Sequence, residues 1–382
     1  MGALREVRVV GTGVVKFGRY PDAGLADLPQ PAIIRALGDA GLGRERVQAA
    51  YCGTVFGGMG AGQRILKGLG MTGMPVTNVE NACSSGSTAF REAWLSVASG
   101  LYDVVLALGV EQLSRLGGGA IPLPGGDIEA DQGLIMPALY AMRARRHMAE
   151  HGTTIEQLAM IAVKNHRNSV HNPHAQYQRE YTLPEILASP PVAEPLTLLH
   201  CCPTGDGAAA AVLAEAGIAR RLAGNGVKIR VSALLSGEFK TDFRDLTRSD
   251  LSYRTAALAY EGAAVGPEDI DVAEVHDAFT VGELMYYEAL GFCRPGEGGR
   301  VIERGESEIG GRIPVNPSGG LLSRGHPLGA TGVAQIVEIV DQLRERCGPR
   351  QVASARIGLT HCTGGGVAGF DHIACTVHIL ER

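Results

Sequence analysis

Two hydrophobic periods alternate along this chain. Ala32, Ile33, Ala36, Leu37 and Ala40 share one face at helical spacing, and Gly41 or Gly43 ends the run, because glycine enters the left-handed conformation that closes a helix. Residues 49–56 then read as a strand. A second helix is predicted from Ser84, with Ala89, Phe90, Ala93, Trp94 and Val97 on its apolar side, and residues 103–109 form a continuous apolar run of the kind that fills a strand buried on both faces. The alternation predicts a layered α/β fold.

The second part of the chain repeats the order of the first. Gly43-Arg44-Glu45-Arg46-Val47 and Gly266-Pro267-Glu268-Asp269-Ile270 each follow an alanine-rich helical stretch and precede a short apolar strand. Ala330, Val333, Ile336, Val337, Val340 and Leu343 make an amphipathic helix, and residues 353–359 a strand, in the places of the first half's second helix and strand. Two similar halves follow, consistent with an old duplication. Residues 116–195 break the pattern: glycines 117–119 and the Pro- and Gly-rich stretch 122–126 open them, and Thr154-Ile155-Glu156-Gln157 forms a capping box. Residues 206–215 are apolar again and return the chain to the sheet. The predicted domains are 1–115, completed by 196–223; an inserted domain, 116–195; and 224–382.

Composition changes this picture in three ways. A formal net charge of −5 with no long basic run argues against nucleic acid as the main partner. No stretch reaches the ~18 consecutive apolar residues of a membrane span, the first twenty residues lack the pattern of a leader, and the chain ends Ile379-Leu380-Glu381-Arg382, so a cytoplasmic protein without membrane contact is expected. Eight cysteines without a C-x-x-C pair predict free thiols rather than a disulfide framework or zinc knuckle, and 53 glycines are roughly twice the ~7% of ordinary usage. That excess needs a structural or chemical reason.

Four segments could carry chemistry. Asn81-Ala82-Cys83-Ser84-Ser85-Gly86 sets a cysteine at a helix start, where free N–H groups and the helix dipole favour a thiolate, and its small neighbours leave room beside the sulfur. Taken alone, a buried structural cysteine would satisfy the pattern. Gly325-His326-Pro327 places a histidine between glycines before the second-half helix, and Pro327 keeps His326 out of the α conformation, so the ring could serve as a general base or simply brace a tight loop. His361-Cys362-Thr363 followed by glycines 364–366 could present a thiol beside backbone donors or merely turn between strands. Val275-His276-Asp277-Ala278-Phe279 puts another histidine between strand and helix.

Jointly and in this order, these segments resemble the thiolase superfamily. The C-[SA]-S-G turn stands at Cys83, G-H-P-x-G-x-[ST]-G at His326 and C-x-G-G-G at Cys362, and Asp206-Gly207-Ala208-Ala209-Ala210 is similar to the family's returning strand. The resemblance covers essentially the whole chain. It implies a thiolase fold: two duplicated βαβαβαββ halves in a five-layer αβαβα arrangement with an inserted loop domain. His276 in H-D-x-F resembles sterol-carrier-protein-type and archaeal-type thiolases, where many others have asparagine; Ala278 stands where the former often carry a second cysteine.

The resemblance implies CoA-dependent cleavage of a 3-oxoacyl-CoA, or the reverse Claisen condensation, by a ping-pong route through acyl-Cys83. His326 would be the base and an oxyanion donor, Cys362 the acid and base, His276 part of the enolate's oxyanion hole, and the backbone of Gly364, with that of Cys83, the donor to the tetrahedral oxyanion. Cys202 and Phe279 would flank the pantetheine arm. CoA is a co-substrate and no permanent cofactor or metal is implied. A homodimer or dimer of dimers is expected, with a small zinc-ribbon and OB-fold subunit as a possible partner.

Other readings compete. A decarboxylating ketoacyl synthase, a thiolase-like retro-aldolase, and an acyl-CoA-binding scaffold or lipid carrier without turnover all share the fold, but the retained Cys83, His326 and Cys362 favour thiolase chemistry. His147-Met148-Ala149-Glu150-His151 fits a zinc-protease motif, yet the neighbouring arginines disfavour a dication, and His200-Cys201-Cys202 would send its cysteines to opposite faces of a strand. Residues 117–136, with Ile121, Leu123, Leu134 and Met136, line either an acyl pocket or a dimer contact. Acetoacetyl-CoA and an aromatic 3-oxoacyl-CoA such as benzoylsuccinyl-CoA are the candidate substrates.

Overall fold

The computed structural model describes residues 4–117, 119–121, 128–222, 226–240, 244–365 and 371–382. Among the described residues eleven strands are present: β1 (Val7–Val14), β2 (Ala49–Gly53), β3 (Val76–Val79), β4 (Val104–Gln112), β5 (Pro191–Ala193), β6 (Leu196–Thr197), β7 (Asp206–Glu215), β8 (Val227–Ser236), β9 (Val272–Glu274), β10 (Ile357–Gly364) and β11 (Ala374–Glu381). Nine form one sheet in the order β3-β2-β4-β7-β1-β8-β11-β10-β9. The order reads the same from both ends toward the antiparallel β1–β8 seam, where Val7 faces Ile229 and Val9 faces Val227. A parallel bridge from Ala273 to Val315 occupies the place that β3 holds beside β2.

Period-two alternation builds the layers. On β7, Ala208, Ala210, Val212 and Ala214 join a core with the outer helix Gln30–Ala40, while Ala209, Ala211 and Leu213 join one with the inner helices Ser85–Ala98 and Leu328–Leu343. On β11, Cys375, Val377 and Ile379 pack outward under the helix Asp250–Ala263. The inner helices lie between the half-sheets, giving helix, sheet, helices, sheet, helix. Leu328–Leu343 is buried at every position but Asp341, and each buried Val, Ile or Leu there contributes about 1.5–3 kcal/mol.

Between β4 and β7 the chain forms a separate cluster, with Tyr140, Ala144, Leu158, Ile161 and Ile186 packed on Phe279, Leu284 and Leu321. The capping box at Thr154 forms as expected, Gln157 N–H donating to Thr154 Oγ1 at 3.2 Å and Thr154 N–H to Gln157 Oε1 at 3.0 Å. This segment covers the second half.

Three expectations shift. The strand predicted at 49–56 stops at Gly53, because the N–H groups of Val55 and Phe56 donate instead to the buried Glu111 carboxylate at 2.8 and 3.0 Å. The strand predicted at 353–359 begins at Ile357, after a turn in which Ser354 has φ +60°, and runs through Cys362 to Gly364. The cysteine motif is therefore in the strand rather than after it. Ala61–Gly68, entered through Gly60 at φ +61°, is a helix that the hydrophobic pattern did not predict.

Candidate active site

The turn before the helix Ser85–Ala98 is held by its own side chains. Ser84 Oγ donates to Asn81 O at 2.8 Å, Ser85 Oγ to Ala82 O at 2.6 Å, and Asn81 N–H to Ser85 Oγ at 2.9 Å. Ala82 has φ +47°, a left-handed conformation that alanine rarely adopts. The turn points Cys83 into a cavity of about 930 Å³.

His326 reaches the same point from the other half. Gly325, at φ +108°, breaks the chain out of the short helix Gly320–Arg324, and Pro327 caps Leu328–Leu343. Thr331 Oγ1 donates to Pro327 O at 3.0 Å and lies 2.8 Å from His326 Nδ1. With the hydroxyl proton so committed, Nδ1–H donates to Thr331 and Nε2 keeps its lone pair for the cavity, a tautomer assigned from this network. Cys83 and one nitrogen each of His276 and His326 lie within 4.8 Å of one another. The two imidazoles meet edge to face with centroids 5.0 Å apart. Cys362 completes the group, its sulfur 3.4 Å from His276 Nδ1 and 3.4 Å from Cys83 O.

The resting protonation differs from the sequence expectation for Cys83. Its side chain is partly open to the cavity, yet burial pushes the thiol up to about 11; the Gly365 N–H, which hydrogen-bonds to the sulfur, opposes this, and Glu111 adds to it. Desolvation outweighs the helix start, so the resting group is a thiol, not a thiolate. Burial, and then the neighbouring Cys83, raise Cys362 well above the ordinary thiol range. Burial lowers His326 to about 3, helped by the Arg324 charge, and burial with the adjacent imidazoles lowers His276. Two protonated thiols therefore face two neutral imidazoles.

Close backbone approach makes this convergence possible. A Cβ on Gly86 would stand 2.2 Å from Gly329 O, one on Gly332 would stand 2.5 Å from Ser87 N, and one on Gly364 would stand 2.1 Å from Asn81 O. The N–H that meets the Cys83 sulfur belongs to Gly365, at φ +46°, one residue beyond the expected Gly364; Gly366 lies outside the described residues.

Cys202 and Phe279 line the cavity wall, with Phe279 stacked on Tyr140 at 4.3 Å. Cys201 also lines it: this stretch bridges Phe279 at a single residue instead of forming a strand, so both neighbouring residues border the space, with Cys201 Sγ donating to Thr197 O at 3.4 Å. Ile121 and Met136 of the proposed pocket loop are in the wall, Leu134 is not among the lining residues, and Leu123 lies outside the described residues. His147 is engaged by Thr153 at 2.7 Å and Glu288 at 3.2 Å, while Glu150 pairs with Arg146. His200 bonds Thr197 Oγ1 at 2.8 Å.

Sequence reasoning missed the supports. Glu111 accepts from Thr54, Val55, Phe56 and, at 3.2 Å, Gly329 N–H, tying both halves together behind Cys83. Asp277 accepts from Leu321 N–H at 2.7 Å and Asn165 Nδ2 at 2.8 Å, holding the His276 turn to the His326 loop. Tyr140 Oη lies 3.0 Å from His372 Nε2, and Arg143 pairs with Asp371. Only Asp277 stands in a local motif, beside His276 in H-D-x-F, and the polar position of Glu111 in an apolar strand was the other visible signal.

The chain belongs to the thiolase family. Residues 7–217 match the family described as thiolase, N-terminal domain, and residues 236–380 that described as thiolase C-terminal domain-like. It is 44% identical to acetyl-CoA acetyltransferase of Methanothermobacter thermautotrophicus, over 99% of this chain and 100% of the relative. It is 43% identical to benzoylsuccinyl-CoA thiolase subunit BbsB of Thauera aromatica, over 97% and 98%. Human sterol carrier protein 2 is 41% identical over 96% of this chain and 71% of its own. Among solved structures, an aldolase titled Ltp2-ChsH2(DUF35) superposes with TM-score 0.86 at 26% identity, covering 100% of this chain and 99% of that one. Human mitochondrial 3-ketoacyl-CoA thiolase superposes with TM-score 0.75 at 20% identity over the whole of both chains, a likeness of fold.

Proposed function

We propose that the protein is an acyl-CoA C-acyltransferase that cleaves a 3-oxoacyl-CoA with CoA, or runs the reverse condensation, through acyl-Cys83. The observation that carries this is the meeting of Cys83, His276 and His326 within 4.8 Å, with Cys362 against them, at the wall of a largely apolar cavity. Full-length relatives named acetyl-CoA acetyltransferase and benzoylsuccinyl-CoA thiolase support the reaction class.

Carbon–carbon cleavage needs a nucleophile, a base, an acid and two places for negative charge. His326 Nε2 takes the Cys83 proton as the sulfur attacks the 3-oxo carbon. The tetrahedral oxyanion faces the N–H groups of Cys83 and of the glycines 364 and 365. Collapse expels an enolate, held by His326 and His276 and protonated by Cys362. CoA enters, gives its thiol proton to Cys362, and its sulfur takes the acyl group from Cys83, which departs with the proton held on His326. Because both thiols are protonated at rest, no thiolate is exposed to oxidation before substrate binds. Cys202 and Phe279 on the cavity wall suit the pantetheine arm.

The finer assignments rest on other observations. All eight cysteines are free thiols, which suits the cytoplasm. Among the described residues, no helix is long and apolar enough to cross a membrane. The edge strand β3 exposes Thr77 and Asn78 and offers a homodimer contact. The aldolase neighbour's title supports a small accessory subunit, but retention of Cys83 and Cys362 favours thiolysis over aldol cleavage. The domain limits we propose remain 1–115 with 196–223, 116–195, and 224–382.

Incubation with 3-oxoacyl-CoA substrates, acid quench and peptide mass spectrometry test the reading. Acyl label on Cys83 is expected; label on Cys362 with none on Cys83 would reverse the roles. CoA-independent cleavage without any acyl-enzyme would favour the aldolase.

A further inference from the structure

We infer that Cys83, His276 and His326 form a reversible inhibitory binding site for Zn²⁺. The binding concerns metal chemistry of these side chains alone, and its inhibitory effect rests on the acyl-transfer reading, in which Cys83 is the nucleophile.

The donor set carries it. One sulfur and two imidazole nitrogens from three separate segments lie within 4.8 Å of one another. Zinc bonds of ~2.0–2.3 Å place one sulfur and two nitrogens of a tetrahedral set about 3.3–3.6 Å apart, so the widest separation has to close by at most about 1.5 Å, within reach of side-chain rotation into the adjoining cavity. A sulfur with two imidazoles suits Zn²⁺ and not the oxygen-seeking Mg²⁺ or Ca²⁺.

The surroundings are those of metal ligands. Thr331 accepts from His326 Nδ1–H and presents Nε2 as a lone pair, as an outer-shell partner does for a zinc-bound histidine. Cys362 lies 3.4 Å from Cys83 O and from His276 Nδ1; with the proton on Nδ1, His276 donates to the Cys362 sulfur and keeps its Nε2 lone pair for the metal, whereas the enolate meets the other tautomer, protonated on Nε2. Arg324 is held at 3.2 Å by the buried Glu274, which offsets its charge. Three protein ligands leave a fourth position open to the cavity for water. Binding forms a Zn–S bond as the Cys83 thiol proton passes to buffer, with no change of oxidation state. Metal and acyl group then compete for one sulfur, and a thiolase so loaded is idle until the metal is removed.

The test is Co²⁺ titration of the reduced full-length protein, followed by thiolate-to-cobalt charge transfer and tetrahedral visible bands. One Co²⁺ per chain is expected, displaced by Zn²⁺, blocked by prior alkylation or acylation of Cys83, absent from Cys83→Ser and weakened at least tenfold in His276→Ala, with circular dichroism showing both variants folded. Absence of charge transfer, its persistence in Cys83→Ser, or unchanged affinity in folded His276→Ala would overturn the site. Acyl label on Cys83 without a cobalt band would sink this inference and leave the proposed reaction standing.

Discussion

The two halves share one order of strands and helices but present different surfaces to each other and to solvent. The inner face of β7 is Ala209, Ala211 and Leu213, whereas that of β11 carries Thr376 and His378, which bond Ser87 Oγ at 2.7 Å and Ser232 Oγ at 2.7 Å. Ser85–Ala98 keeps Arg91, Glu92, Trp94 and Leu95 half-buried, while Leu328–Leu343 is almost wholly enclosed. The sheet's ends differ too. β3 leaves Thr77 and Asn78 exposed, but at the other end Val315 O accepts from the buried Lys164 Nζ at 2.5 Å, itself paired with Glu283 at 2.7 Å. Duplication brings two equivalent helix starts to one place. Divergence then places Cys83 at one and His326 at the other, and the inserted segment packs mainly on the second half.

The comparison breaks most severely at the chemistry. Cys83→Ser is expected to fold normally and lose acyl transfer by on the order of 10³–10⁴-fold, whereas Cys362→Ala should lose turnover yet still acquire acyl label on Cys83. Steady-state assays with peptide mass spectrometry separate the two. Label missing from Cys362→Ala would mean that the sulfurs act as a unit.

The helix crossing comes next. Gly86→Ala drives a methyl against Gly329 O and should cost about 1–3 kcal/mol or more, read as a lower urea midpoint with parallel loss of activity. A variant as stable as the parent would show that the inner helices can separate freely. By contrast Gly38→Ala, on the outer helix where a Cβ meets nothing within 4 Å, should be neutral or stabilising by a few tenths to ~1 kcal/mol.

The thiol's titration sharpens the electrostatic side. With Cys83 pushed up to about 11, the thiolate fraction rises about tenfold per pH unit between pH 8 and 10, so iodoacetamide should alkylate Cys83 about 100-fold faster at pH 10 than at pH 8. A rate that levels off near pH 8.5–9 would show an ordinary thiol. Folding stability moves the opposite way: a group raised in the folded state favours folding while protonated, and that contribution is lost as pH climbs from the unfolded value near 9 through about 11.

The smallest effect is at the sheet's ends. Asn78→Pro, at a position whose N–H faces the free edge of β3, should raise a dimer dissociation constant at least tenfold, about 1.4 kcal/mol, without unfolding the chain. Sedimentation of a protein that is monomeric before the substitution would remove β3 as the contact.

Much of the site was legible because its reactive residues sit in short local motifs at helix starts and strand ends. Cys83, His326, His276 and Cys362 were all identifiable, and period-two and helical spacing located the layers, including β7 from Asp206 to Glu215. The supports were not legible. Glu111 is one polar residue in an apolar strand, Asp277 is bonded to backbone more than forty residues away, and Tyr140 belongs to a segment with no strong period. Such partners share no sequence register, so only packing pairs them.

By itself the sequence determined which side chains could react, that two halves repeat, and that glycine was in excess. The tertiary structure decided where those glycines act: Gly86, Gly332 and Gly364 let backbones approach more closely than any Cβ permits. It also decided the protonation of the site. A helix start favours the Cys83 thiolate over a distance that local sequence reveals, but the loss of water around the sulfur depends on walls drawn from both halves and the inserted segment, and that desolvation is the larger effect.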